Sequence, residues 1–148
     1  MCGKSAQKAT SDVWPRGAAH HGGARTAISP AGGERPDALM LVAQEADEIV
    51  ALCGLLRPRR PRMSHRAQID ASVRKSHWNH GIATRMLTEL LETGVRAGVT
   101  AFTLEVRADN AAAVHVYEKL GFRTVGRLER FFRINGQYHA ALLMELDA

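Results

Sequence analysis

The chain has 148 residues, 45% of them hydrophobic and 24% charged, with a formal net charge of +5. That length suits one domain around one core, with the composition of an ordinary globular protein. No apolar run reaches a membrane span, no continuous apolar stretch marks a secretory signal, and two cysteines are too few for a disulfide scaffold, so a reducing, cytoplasmic setting is expected.

Residues 1–37 hold Gly3, Gly17, Gly22, Gly23, Gly32 and Gly33 together with Pro15, Pro30 and Pro36. Few aliphatic residues interrupt them and no period appears, so this segment reads as an irregular or disordered tail, with the folded domain over 38–148. Leu39 to Ala43 is a short apolar run, Glu45 to Glu48 is turn-like, and Ile49 to Leu56 is apolar throughout. That pattern predicts a hairpin whose second strand is buried on both faces. Pro58 and Pro61 make Arg57 to Arg62 a loop. Arg66 to Val73 is a third strand. Arg57, Arg59, Arg60, Arg62, Arg66, Arg74 and Lys75 lie close together, with Asp70 the only acid among them. This charge reads as a solvated basic loop or as an attractor for a small anion. A nucleic-acid surface ranks last, because no recognition motif accompanies it.

Gly81 to Ala97 is the clearest helix. Ile82, Met86, Leu87, Leu90, Leu91 and Val95 share one face, and Glu92 and Arg96 stand four apart in the favourable order. Gly98 supplies the stop. Gly94 inside the helix costs roughly 1 kcal/mol relative to Ala, which the apolar face can absorb. Phe102 to Arg107 alternates as a strand: Phe102, Leu104 and Val106 point one way, Thr103, Glu105 and Arg107 the other. Asp109 or Asn110 caps a second helix over Ala111 to Leu120, which Gly121 ends. Gly126 to Ile134 and Gln137 to Leu146 flank Asn135-Gly136, a strong hairpin signal. A strand, helix, strand succession requires a parallel pair joined by a right-handed crossover. With hairpins on both sides, the sum is an α/β (α+β) fold with a mixed central sheet.

Two segments carry candidate chemistry. In the loop His77-Trp78-Asn79-His80-Gly81-Ile82-Ala83, the small Gly81 and Ala83 open a helix. Its free N–H groups and partial positive charge can receive a phosphate. A plain turn is the competing reading. His77 and His80 have a spacing that suggests metal, but no cysteine or acid stands near them in sequence, so they read as loop polars near phosphate and no metal is expected. The second segment runs Leu104-Glu105-Val106-Arg107-Ala108-Asp109-Asn110-Ala111-Ala112-Ala113-Val114-His115-Val116-Tyr117-Glu118-Lys119-Leu120-Gly121-Phe122.

With its Asn-initiated, Ala-rich helix and Tyr-Glu-Lys-Leu-Gly-Phe end, this second segment resembles the GNAT superfamily of acetyltransferases. The helix motif is similar to that of the ribosomal-protein alanine acetyltransferases. Over about Leu39 to Leu146 the chain looks more like the bacterial L-amino-acid N-acetyltransferase branch, in which Arg59-Arg60-Pro61-Arg62-Met63-Ser64-His65 and Arg133-Ile134-Asn135-Gly136-Gln137-Tyr138 also have counterparts. The resemblance implies an acyl-CoA N-acyltransferase fold with a splayed parallel pair, here with its N-terminal part shortened. It implies acetyl-CoA as cosubstrate and a small-molecule amine, an amino acid or related compound, as acceptor. The pantetheine arm would pair with backbone around Ser72 and Val73. The pyrophosphate would sit on the loop Asn79, His80, Gly81, Ile82, Ala83 and Thr84. Asn110 would touch the cofactor arm, Tyr117 would protonate the leaving thiolate, and Glu105 would be the general base.

These roles suit the chemistry. Acetyl transfer needs an unprotonated amine, a donor for the developing oxyanion, such as a strand N–H near Val73, and a proton for the thiolate. Tyr117 as a core aromatic, Glu105 as a solvated strand charge and Asn110 as a cap alone are the plainer readings. Phe131, Phe132 and Tyr138 read as packing or acceptor-pocket residues. Two departures from the family pattern stand out. Trp78 and His77 occupy positions where the phosphate loop usually has Gln or Arg and an aromatic, and residues 1–37 are too short for the strand and two helices that normally wall the acceptor site. Protein N-terminal acetylation and a degenerate CoA-binding or dimerisation module are the alternatives. No nucleic-acid or membrane partner is expected, and pairing of such sheets points to a homodimer.

Overall fold

The computed structural model describes residues 24–30 and 37–148. Seven strands, β1 (Ala24–Pro30), β2 (Ala38–Glu45), β3 (Glu48–Leu56), β4 (Arg66–Val73), β5 (Ala101–Arg107), β6 (Arg123–Ile134) and β7 (Gln137–Asp147), form one sheet in the order β1-β2-β3-β4-β5-β7-β6. Among the described residues, two α-helices, α1 (Ile82–Arg96) and α2 (Ala111–Lys119), pack with the sheet. All neighbouring strands are antiparallel except β4 and β5. Their parallel pairing covers only Arg66 to Gln68 against Ala101 to Thr103, after which β4 runs on without β5. This is the splay that the resemblance implied.

β5 and β6 both run antiparallel to β7, so they are parallel to each other. The crossovers β4–α1–β5 and β5–α2–β6 therefore step the same way along the sheet, and right-handed connections place both helices on one face. On that face Leu39, Leu41, Cys53, Leu55, Ile69, Phe102, Leu104 and Met144 are buried in one cluster with Met86, Leu87, Leu90 and Tyr117. No described helix covers the opposite face. The expectation that β3 is buried on both sides fails for this reason: Leu52 and Leu56 point away from the helices and are exposed.

The strand Ala24–Pro30 falls inside the segment read as irregular, and that reading does not hold for it. An edge strand is held by main-chain bonds to its neighbour, here Ala24↔Glu45 through Pro30↔Leu39, and needs no side-chain period to form. Residues 1–23 and 31–36, with Cys2, lie outside the described residues.

The buried face of α1 also differs from its sequence reading. Met86, Leu87, Leu90, Thr93 and Gly94 are buried while Val95 is exposed. Thr93 offsets its polarity by donating its hydroxyl to the Glu89 carbonyl at 2.7 Å. Gly94 is a close-approach position rather than a tolerated weakness. A Cβ there would stand 2.7 Å from Phe102 Cε1 and 2.9 Å from Leu55 Cδ1. Elsewhere the local signals hold. Glu92 pairs with Arg96 at 3.1 Å, and Asn135 and Gly136 both take positive φ in the two-residue turn between β6 and β7.

Candidate functional site

The splay and the start of α1 build one cleft. Gly81 is the N-cap of α1 at φ 71, and no side chain caps the helix, nor does any acid lie in its first turn. The first N–H groups of the helix are thus left for an external acceptor, and the dipole there favours an anion. Asn79 also has positive φ, 63°. Nothing would lie within 4 Å of a Cβ on Gly81, so the glycine serves the left-handed backbone and leaves its surroundings open.

A cleft of about 340 Å³ runs from this turn along β4 to α2. Of the residues named for the cofactor, Ser72, Val73, Asn79, Gly81, Ile82, Ala83, Thr84, Asn110 and Tyr117 line it; His80 does not. His80 instead stands edge-on to His77, with ring centroids 6.5 Å apart. The sequence reading did not name Ala71, Leu87, Ala112, Ala113 and Val116 as lining residues. The run Ala111-Ala112-Ala113 was the available signal, since small side chains leave room beside a helix.

Asn110 caps α2 by accepting a hydrogen bond from the Ala113 N–H at 3.2 Å, which settles the choice between Asp109 and Asn110. Asp109 pairs instead with Arg107 at 2.6 Å, with His139 3.5 Å away. The Arg107 hydrogen bond holds the Asp109 carboxyl below its ordinary range. Tyr117 is buried on α2 and packs edge-on against Phe122 at 5.9 Å. Burial first, then the charge of Asp70, pushes its phenol above the ordinary 10, so it holds its proton through the neutral range. Glu105 does not line this cleft. It belongs to the opposite face of β5 and accepts a hydrogen bond from the Gln68 amide at 2.6 Å. Tyr117 and Glu105 thus flank the splay from its two sides.

One contact crossed too much sequence to be read in advance. His77, expected to lack an acidic neighbour, meets Glu45 at 2.8 Å and shares a 2.8 Å hydrogen bond with the Ser76 hydroxyl. The Trp78 indole N–H donates to the Val73 carbonyl at 2.8 Å, so its side chain lies along the cleft wall. The basic run divides: Arg57 donates to the Ala97 and Ser64 carbonyls, Arg59 pairs with Asp37 and Arg74 with Glu48. Phe131 and Tyr138 are exposed toward the tip of the β6–β7 hairpin, where Arg130 lies 4.1 Å over the Tyr138 ring. Cys53 is buried, and desolvation, followed by the charges of Asp70 and Glu89, pushes its thiol up to about 12. It remains a thiol and is no nucleophile.

Residues 5–122 match the acetyltransferase (GNAT) family. The chain is 32% identical to the L-amino acid N-acetyltransferase AaaT of Escherichia coli over 112 residues, covering 75% of this chain and 69% of that protein. It is 42% identical to the N-alpha-acetyltransferase RimI of Mycobacterium tuberculosis over 64 residues, 43% of this chain but only 39% of RimI. The crystal structure of a GNAT-family acetyltransferase from Streptococcus pneumoniae superposes with a TM-score of 0.72 at 28% identity, over 76% of this chain and 68% of that one.

Proposed function

The chain belongs to the acetyltransferase (GNAT) family, and from that premise we propose that it transfers an acetyl group from acetyl-CoA directly to the primary amine of a small molecule, an amino acid or a related compound. Acetyl-CoA is the cosubstrate of the family and supplies an activated thioester. The observation that carries the reading is the single cleft joining an uncapped helix start, a splayed strand and a buried phenol. The residues present fit the cofactor. The N–H groups at Gly81 to Thr84 suit a pyrophosphate, β4 past Gln68 has main-chain groups free of β5, and Asn110 and Tyr117 stand across the cleft. Tyr117 would give its proton to the departing thiolate. Glu105, on the far side of the splay, would draw a proton from the acceptor through water. The amino-acid class rests on the likeness to AaaT. The likeness to RimI covers too little of RimI to favour a protein N-terminus.

Titration of the purified chain with acetyl-CoA in a calorimeter tests this first. Micromolar binding followed by thiol release with amines is the expected result; no binding sinks the reading. Trp78 sharpens the test. If the pantetheine arm takes the Val73 carbonyl, the indole N–H must first release it. Trp78→Phe is then expected to tighten acetyl-CoA binding by about two- to tenfold, the worth of one hydrogen bond no longer broken. Weaker binding would instead make Trp78 a wall that holds the cofactor.

A further inference from the structure

The loop that opens the cleft is held from outside it. The last main-chain bond of this chain segment to β3 runs from the Arg74 N–H to the Val50 carbonyl at 2.8 Å. Residues 75–81 follow before α1 begins, and His77, Trp78, Asn79 and Gly81 among them line the cleft. Asn79 and Gly81 take positive φ, 63° and 71°, and a non-glycine residue seldom keeps that state unless its surroundings impose it. Main-chain bonds within the loop are local, from His77 to Arg74 and from Trp78 to Lys75. Among the described residues, two hydrogen bonds tie the loop to the sheet. One joins the Trp78 indole to the Val73 carbonyl and the other joins His77 to Glu45, each at 2.8 Å.

The two ties respond differently to a cofactor. A pantetheine arm that takes the Val73 carbonyl releases the indole. It leaves the other tie alone, because Glu45 ends β2 and does not line the cleft. Both ring nitrogens of His77 are engaged, Nε2 with Glu45 and Nδ1 with the Ser76 hydroxyl. An ionised carboxylate only accepts, so Nε2 carries the hydrogen donated to Glu45. No nitrogen of His77 is left for a phosphate. The imidazole borders the cleft as a strut rather than as a ligand. Arg74 is turned the same way, toward Glu48 at the start of β3, at 2.9 Å.

We propose that Glu45, acting through His77, is a positioning residue that holds the phosphate loop in the form that receives the acetyl-CoA pyrophosphate. The proposal rests on the acetyl-transfer reading and adds to it a residue outside the cleft. Two physical effects oppose each other here. A carboxylate repels a nearby phosphate, so its removal should tighten binding. Loss of the strut frees the loop, and the cost of ordering it then falls on binding. The Glu45 side chain is 66% exposed, so water and salt screen its charge, and the ordering effect is the larger.

The test titrates wild type, Glu45→Ala, Glu45→Gln, His77→Ala and the double alanine variant with acetyl-CoA in a calorimeter. Glu45→Ala is expected to weaken binding by about three- to tenfold, the worth of the lost hydrogen bond. Glu45→Gln, whose amide oxygen still accepts from Nε2, should bind at least as tightly as wild type. Because both alanine changes break the same bond, the double variant should bind no more weakly than His77→Ala alone. Amine KM, and kcat at saturating acetyl-CoA and amine, should not move in Glu45→Ala. In the acetyl-CoA-free protein, NMR order parameters of residues 76–80 should fall in Glu45→Ala and hold in Glu45→Gln. Acetyl-CoA binding in Glu45→Ala as tight as wild type or tighter, a Glu45→Gln as weak as Glu45→Ala, or losses that add in the double variant overturns the proposal. So do unchanged order parameters. Absence of acetyl-CoA binding in the wild type is a different outcome, which removes the acetyl-transfer reading itself and this role with it.

Discussion

Tyr117→Phe is expected to lower kcat by about 10²- to 10⁴-fold, the usual worth of a positioned proton donor, with little change in acetyl-CoA affinity. The substitution removes one oxygen and keeps the ring, so the edge-on contact with Phe122 survives and thermal stability should hardly move. That separates the catalytic reading from the plainer one. A core tyrosine would show little change in turnover. A proton donor shows the reverse. Because burial and the Asp70 charge raise the phenol above 10, the proton is in place across the neutral range. Loss of activity through Tyr117 ionisation should therefore set in at a higher pH than for a free phenol. Unchanged kcat in Tyr117→Phe would move the acid role to water or to another group.

Gly94→Ala is expected to destabilise the fold by about 1–3 kcal/mol, the cost of overpacking a filled core. Helix propensity alone predicts a gain of about 1 kcal/mol for the same change, so the two arguments differ in sign. Geometry decides between them. The new methyl would meet Phe102 at 2.7 Å and Leu55 at 2.9 Å, and both are almost fully buried. Neither is the loose end of an exposed chain that could swing aside. The helix would have to lift off the sheet instead, and Leu87 and Leu90 would lose contact with β3 and β4. The expected melting temperature falls by about 3–4 °C per kcal/mol. A higher melting temperature in Gly94→Ala would mean that the α1–sheet distance is not set by this glycine.

Much of the molecule was legible because its signals are local. The spacing of Met86, Leu87 and Leu90 gave α1, the alternation from Phe102 to Arg107 gave β5, Asn135-Gly136 gave the last hairpin, and Asn110 gave a helix cap. A helix or strand period is fixed within a few residues by backbone geometry, so neighbours in sequence suffice to read it. At the cleft, local signals offered only the helix start with its small residues and free N–H groups; Ser72, Val73, Asn110 and Tyr117 came from the family resemblance. The chain order of strand, helix and strand further required a parallel crossover, and hence β4 beside β5.

Other features depend on residues far apart in the chain, and there the sequence was silent or misleading. His77 finds Glu45 from 32 positions away. Gly94 reads as a weak helix residue until Phe102 and Leu55 are placed against it. Ala24–Pro30 carries no strand pattern, yet β2 offers it an edge to bond. Leu52 and Leu56 look like core, but the helices lie on the other face. In each case the deciding quantity is which surfaces meet. Sequence determines the periods that build the elements, while the packing of those elements alone sets what each side chain faces, and with it the burial, close contacts and local charge on which function depends.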